Sequence, residues 1–315
     1  MQWYYILLII LGFILLSFFI TCYISYRLTF YSKNKKPKND DIFVPDHSFY
    51  KKHRDIIITN IKEVREYKYI KLSTKSFDGL TLTGKYYESI KGAPIEIMFH
   101  GYRGTAERDL STGVKRALLC GRNVILVNQR GTYDSEGHTL TFGINERKDC
   151  VTWVNHVVKT FGDDVKILIT GISMGAATVV MAASMDLPSN VKGAVADCGY
   201  DHPNVIIKKV MKDTLKLPIK LFYPIVKLSA KLFGKFDLEE YSPYESVKKS
   251  KIPIFFVHGD KDNLVPYEMS IKLYEACNSD KHLLIIKGAD HGTSFLEDPE
   301  TYIKEIVEFF EPYLK

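Results

Sequence analysis

Val165-Lys166-Ile167-Leu168-Ile169-Thr170 runs directly into Gly171-Ile172-Ser173-Met174-Gly175, and the apolar run Ala176 to Ala183 follows. An apolar run without alternation, a turn of small residues and a second apolar run read as strand, turn and helix. A serine at the centre of such a turn stands proud at the helix amino terminus. It needs small neighbours because the backbone turns sharply there. The hydroxyl is a poor nucleophile until a base takes its proton, so Ser173 calls for a histidine and a group to orient it.

The same alternation extends on both sides of this turn. Strand-like runs recur at Tyr69–Lys75, Leu80–Tyr87, Ile95–Phe99, Asn123–Asn128, Val191–Ala196, Ile254–Val257 and Leu283–Ile286. Helix-like stretches lie at Thr105–Leu119, Asn145–Thr160, Gly175–Met185, Pro266–Cys277 and Pro299–Phe310, with Gly121, Gly162 and Gly288 at their ends. This pattern predicts an α/β domain with a mostly parallel, doubly wound sheet. The first two strands flank Asp78-Gly79 and read as an antiparallel hairpin at one edge.

Of nine histidines, His291 in Gly288-Ala289-Asp290-His291-Gly292 follows the last strand. The stretch from Ile252 to Pro266 carries a strand into His258-Gly259-Asp260-Lys261-Asp262, and Asp262 is the expected acid. The chain order Ser173, Asp262, His291 is nucleophile, acid, base. Asp260 and Asp290 are rivals whose alternative role is a turn or capping carboxylate, and Asp197 is a further candidate. Acyl transfer also needs donors for an oxyanion. Ile97-Met98-Phe99-His100-Gly101-Tyr102-Arg103-Gly104 is a strand followed by a glycine-containing loop, so the backbone N–H groups of Tyr102 and Met174 are the expected pair. His100 reads as a histidine bonding within that loop rather than a second base, and Arg103 as a solvated loop residue rather than a contact for a substrate carboxylate.

These residues together resemble the α/β-hydrolase superfamily from about Tyr69 to Lys315. The likeness is strongest to its monoglyceride-lipase-like and serine-aminopeptidase-like branch, including members with one amino-terminal membrane span. It is carried by His100–Gly104, the elbow Gly171–Gly175, the stretch Asn128–Gly137, His258–Pro266 and Ala289–Gly292. Members commonly show Asp-x-Arg-Gly-x-Gly-x-Ser in the third of these, where this chain has Asn128 and Tyr133. The resemblance implies that Arg130 bonds loop carbonyls and that Glu146 and Asp149 serve the first turn of the following helix. It also implies an acyl-enzyme on Ser173, with no metal or organic cofactor required.

The amino end reads as a membrane anchor. Trp3 to Tyr26 carries no charge, and 24 residues at about 1.5 Å each can cross a hydrocarbon core of roughly 30 Å. A cleaved leader would need a positive first region, a shorter apolar core and a small-residue cleavage site, and none is present. Trp3, Tyr4, Tyr5, Tyr23 and Tyr26 fit interfacial belts, while Arg27, Lys33, Lys35, Lys36 and Lys38 follow the span and place the soluble domain in the cytoplasm. The expected division is therefore an anchor over residues 1–27, a linker and lead-in over 28–65, and an α/β-hydrolase domain over 66–315.

Charge and composition narrow the partners. The 315 residues are 46% hydrophobic and 25% charged, which excludes a disordered chain. The five cysteines lie far apart without metal-binding spacing, which favours a reducing compartment. The net charge of +6 divides into +3 over residues 1–45, +7 over residues 204–235 and −4 elsewhere. Neither basic segment has the dispersed basic and aromatic pattern of a nucleic-acid surface.

The second segment interrupts the strand and helix alternation over about 201–241, where hydrolases of this fold carry a cap. Pro218, Pro224 and Gly234 divide it into two short helical pieces. Each has a lysine-rich side (Lys208, Lys209, Lys212 and Lys216, then Lys220, Lys227, Lys231 and Lys235) and an apolar side. This cap is expected either to rest on an anionic bilayer, admitting a small-molecule or lipid-derived acyl ester, or simply to cover the cleft. Esterase chemistry is the leading reading. Peptidase or amidase chemistry and a non-catalytic binding module are the alternatives, separable by ester and amide turnover and by fluorophosphonate labelling.

Overall fold

The computed structural model of the chain describes residues 2–34, 42–46 and 48–315. Lys35, Lys36 and Lys38, with the rest of 35–41 and residue 47 of the expected linker and lead-in, lie outside these. The chain opens with α1 (Gln2–Thr29), α2 (Ser48–Lys51) and α3 (Arg54–Glu66), then the hairpin β1 (Ile70–Lys75) and β2 (Thr81–Tyr87). There follow β3 (Ile95–Phe99), α4 (Ala106–Leu119), β4 (Asn123–Asn128), α5 (Glu146–Phe161), β5 (Ile167–Ile172), α6 (Met174–Ala182) and β6 (Val191–Asp197). The cap consists of α7 (Pro203–Asp213) and α8 (Ile219–Ser229), the latter continued by a π-helical turn at Ala230–Gly234. The chain closes with α9 (Pro243–Val247), β7 (Ile254–Gly259), α10 (Glu268–Ala276), β8 (Lys281–Ile286), α11 (Ser294–Glu297) and α12 (Pro299–Leu314).

The described strands form one sheet in the order β1-β2-β4-β3-β5-β6-β7-β8, antiparallel at β1, β2 and β4 and parallel from β4 to β8. This is the α/β-hydrolase fold. Gly79, at φ 87, supplies the left-handed position that closes the hairpin. The continuous apolar strands serve two layers at once. Ile97 and Phe99 pack on one face with Trp153 of α5 and Ala176 of α6, whereas Met98 packs on the other with Val114 of α4. Beyond it, Phe255 and Val257 pack against Ile306 and Phe310 of α12.

After β3 and β4 on one side, the chain crosses to β5 on the other side of β3. The carboxyl ends of β3 and β5 therefore flank the switch point where ligands bind in open α/β sheets.

Three stretches differ from expectation. Within the expected lead-in, Arg54–Glu66 is helical and packs Ile57, Ile61 and Val64 inward. Their spacing at intervals of four and three is an amphipathic signal inside a charged segment. Pro224 does not cut the cap, because α8 runs through it; the break lies before α8, where Lys216 takes φ 53 and Pro218 forms the N-cap. The lysine sides are also partly engaged: Lys209 pairs with Asp213 at 3.0 Å, Lys231 with Asp237 at 2.8 Å, and Lys227 with Glu239.

Helix α1 is long and apolar enough to cross a membrane over Trp3–Thr29. Its last turns are not free. Phe233 of the π turn meets the rings of Phe19, Tyr23 and Tyr26 at 5.1, 5.3 and 5.9 Å. Phe30, fully buried, packs edge-on against Phe142 and Phe236.

Candidate active site

The turn between β5 and α6 holds Ser173 at φ 57 and ψ −116, a strained conformation for a residue with a side chain. Its N–H donates to the Asp197 carbonyl at 2.8 Å, tying the elbow to β6. The glycines are required by contact rather than by φ. A Cβ at Gly171 would lie 2.0 Å from the Gly175 carbonyl oxygen, and one at Gly175 would lie 2.0 Å from that of Phe99.

Loops after β7 and β8 bring the other two residues to the serine. His291 Nε2 lies 3.0 Å from Ser173 Oγ, and its Nδ1 lies 2.6 Å from Asp262 Oδ2. The second oxygen of Asp262 accepts the N–H groups of Leu264 and Val265 at 2.9 and 2.8 Å. His258 Nε2 also approaches Asp262 Oδ2 at 3.0 Å, while its Nδ1 meets Ser270 Oγ at 2.7 Å.

Burial opposes the charge on Asp262, but His291 and His258 outweigh it and hold the carboxyl well below its usual range. Burial likewise opposes the His291 imidazolium, and the Cys198 sulfur and Asp262 carboxylate reverse the balance, so the ring titrates well above its ordinary value. Cys198, at φ 47, is fully buried beside this ring. Its sulfur, an Asp262 oxygen and a His291 nitrogen lie within 4.8 Å of one another, a donor set that could ligate a soft divalent ion.

The loop after β3 faces the elbow. Gly101 N–H donates to Asp109 Oδ2 at 3.0 Å, and a Cβ at Gly101 would sit 3.5 Å from the Ser173 Cβ. Neither the Tyr102 nor the Met174 backbone N–H donates to a protein group among the described residues. His100 is buried within the loop: Gln129 N–H donates to its Nε2, and its Nδ1 meets the Gly101 carbonyl at 2.9 Å.

The rival carboxylates have other partners. Asp260 accepts Gly288 N–H at 2.6 Å, and Asp290 accepts the N–H of His291 at 2.7 Å. Asp197 accepts the Tyr302 hydroxyl at 3.2 Å, and burial raises its pKa to about 6.

Arg103 is exposed, as expected, although its Nη2 donates to the Leu28 carbonyl at 2.6 Å. Other residues differ from expectation. Arg130 bonds carboxylates rather than loop carbonyls, reaching Asp149 at 2.7 Å and Asp78 at 3.0 Å. Asp149 thereby serves that ion pair. Glu146 instead reaches back from α5 to accept Thr141 and Gly143 N–H groups, each at 2.9 Å. Tyr133 occupies the position usual for a glycine at φ 51.

Residues outside the sequence motifs also reach the site. Phe49 of α2 packs edge-on to His291 with centroids 5.6 Å apart. Tyr50 is hydrogen-bonded to Arg108, which pairs with Asp109 at 2.6 Å. From α1, the Thr29 carbonyl accepts the Tyr102 hydroxyl at 2.6 Å, and the Tyr102 ring stacks on Phe142 at 4.8 Å. The sequence motifs do not anticipate these contacts; the amphipathic spacing of Ile57, Ile61 and Val64 in α3 is the sequence signal that the lead-in is ordered.

The profile of the prolyl oligopeptidase family matches residues 117–315. The Bacillus subtilis protein YqkD is 27% identical over 191 residues, covering 61% of this chain and 63% of YqkD, so the chain spans just under two thirds of that relative. YitV of the same species, which carries a provisional esterase name, is 25% identical over 240 residues, covering 71% of this chain and 91% of YitV. An esterase from Pyrococcus furiosus superposes with a TM-score of 0.65 at 22% identity, over 89% of this chain and 99% of that one.

Proposed function

Because the chain belongs to the prolyl oligopeptidase family within the α/β-hydrolase superfamily, we propose that it is a serine hydrolase cleaving carboxylic esters through an acyl-enzyme on Ser173. The supporting observation is the unbroken relay from Ser173 Oγ through His291 to Asp262, at 3.0 and 2.6 Å. His291 Nε2 takes the hydroxyl proton as Oγ bonds to the acyl carbon. The oxygen of the tetrahedral intermediate then receives the free N–H groups of Tyr102 and Met174. The imidazolium, held by Asp262, gives its proton to the leaving alkoxide. Water repeats the sequence in reverse and releases the acid.

The family name also favours a second reading, hydrolysis of amides or peptides, in which the same imidazolium protonates a leaving amine. Turnover of a p-nitrophenyl ester series from acetate to palmitate, beside matched anilides, separates the two. The ester reading expects ester turnover that is lost in Ser173→Ala. Anilide turnover alone would move the second reading to first place.

The chain is further proposed to be anchored by α1, with its hydrolase domain on the cytoplasmic side and its cap on the bilayer. Leu215, Leu221 and Leu232 are exposed on the cap beside the exposed lysines 212, 216, 220, 231 and 235. An apolar and basic surface of this kind suits an anionic interface. Its position next to α1 suits a substrate with a hydrophobic acyl group taken from the membrane. Flotation of the full-length protein with liposomes tests the anchor, and protease access in sealed vesicles tests the side.

A further inference from the structure

A cavity of about 560 Å³ opens where α1 ends against the loops that follow β3 and β4. Its lining includes Arg27, Lys33 and Arg103 with Ser32, Asn34 and Thr132, and no carboxylate lines it among the described residues. Three basic residues in a lining without a described acid make a surface that suits an anion. Their arrangement is specific. The Arg27 guanidinium lies 3.6 Å from the centre of the Tyr31 ring, which fixes its plane, and Arg103 is held by its bond to the Leu28 carbonyl. A guanidinium carries five N–H donors, so Arg103 retains others for a ligand.

The depth of the cavity indicates which anion it meets. Arg27 is the first charged residue after the apolar run from Trp3 to Tyr26. Tyr23, four residues before it and exposed, is of the type that settles at the interface, whereas Tyr26 is buried against the domain with its hydroxyl on Thr139. On the anchored reading above, the cavity lies at the level of the lipid phosphates. We propose that it binds the phosphate of an anionic phospholipid, and that the bound headgroup holds the oxyanion loop in its working position.

The loop supplies the second half of the inference. Arg103 is adjacent to Tyr102, whose backbone N–H is the oxyanion donor assigned above and whose hydroxyl bonds Thr29 of α1 at 2.6 Å. Arg103 itself is left-handed at φ 51, flanked by Tyr102 and Gly104, and the Gly104 N–H closes the turn onto the Gly101 carbonyl at 3.0 Å. An anion gripped between Arg27 and Arg103 therefore ties the end of the span to this turn. Exchange of a neutral for an anionic bilayer becomes a change at the reacting carbonyl.

This inference rests on the membrane-anchored hydrolase reading, and its test separates the two. The full-length protein is placed in nanodiscs of phosphatidylcholine alone or with phosphatidylglycerol, and kcat/KM is measured on a short, water-soluble p-nitrophenyl ester. The expected result is a rise of at least fivefold in the anionic discs, reduced to below twofold in the Arg27→Gln/Arg103→Gln double variant. Arg27→Lys, which keeps the charge, retains most of the rise. Charge reversal of Lys212, Lys216 and Lys220 leaves the ratio intact.

An equal rate in both discs, from protein that takes up a fluorophosphonate at Ser173, overturns the headgroup site and leaves the hydrolase reading standing. Loss of the ratio on reversing the cap lysines, but not in the arginine variants, assigns the effect to cap docking and also overturns it. Activation in neutral discs by soluble glycerol phosphate overturns the lipid source in favour of a free phosphate. Absence of fluorophosphonate uptake in every disc contradicts the hydrolase reading itself.

Discussion

The carboxyl edge of the sheet and the layer of α1 and cap above it hold the same site by different physics. At the sheet edge, position is set by short polar bonds and backbone contact: Asp262 is gripped by two N–H groups and two imidazoles, and Gly175 admits the Phe99 carbonyl. In the layer above, rings pack on rings, with a few side-chain bonds such as that of Tyr26 to Thr139 at 2.7 Å. A misplacement of about 1 Å can cost roughly a hundredfold in rate, whereas apolar contacts tolerate repacking. On the proposed function, the lower region carries the chemistry and the upper one the access of substrate.

Substitutions at the edge are expected to be severe and specific. Ser173→Ala should lower kcat by roughly 10⁶-fold with the fold retained, and Asp262→Asn by roughly 10⁴-fold, read by ester turnover beside circular dichroism. Gly175→Ala acts on stability instead, because its Cβ meets backbone. A loss of about 3 kcal/mol is expected in thermal unfolding.

A pH profile refines the same region. His291 must be neutral to accept the proton, and its raised pKa places the acid limb of kcat/KM above the ordinary histidine value of about 6.5. Activity should rise with pH through that limb. Asp262, held ionised well below this range, adds no step of its own. A limb below pH 6 would contradict this electrostatic balance.

The upper region should respond more gently. Phe233→Ala removes three ring contacts to α1, each worth about 0.5–1.5 kcal/mol, and should loosen the cap, raising KM for long-chain esters several-fold while kcat for acetate changes little. If acetate hydrolysis fell as sharply as palmitate hydrolysis, the division between the two regions would fail.

This division also explains what could be read from the sequence. The eight strands among the described residues, Ser173, Asp262 and His291 are visible because each rests on neighbours within a few residues: small ones at the elbow, apolar runs before the loops. Arg103 bonding Leu28, Tyr102 bonding Thr29 and Phe49 covering His291 join residues far apart in the chain. No local pattern marks such pairs. His258 was in plain view beside Asp262, but a histidine after a strand carries no signal for which carboxylate it will meet. Arg130 departs from expectation for a related reason, since Asp78 and Asp149 are each distant from it in sequence and only the fold unites them.

Activation of Ser173 by His291 is read by intact mass and peptide mapping of the full-length protein after a fluorophosphonate. One adduct is expected, on Ser173, formed at least 100-fold more slowly in His291→Ala. An adduct on another residue, or one whose rate is unchanged without His291, would contradict it.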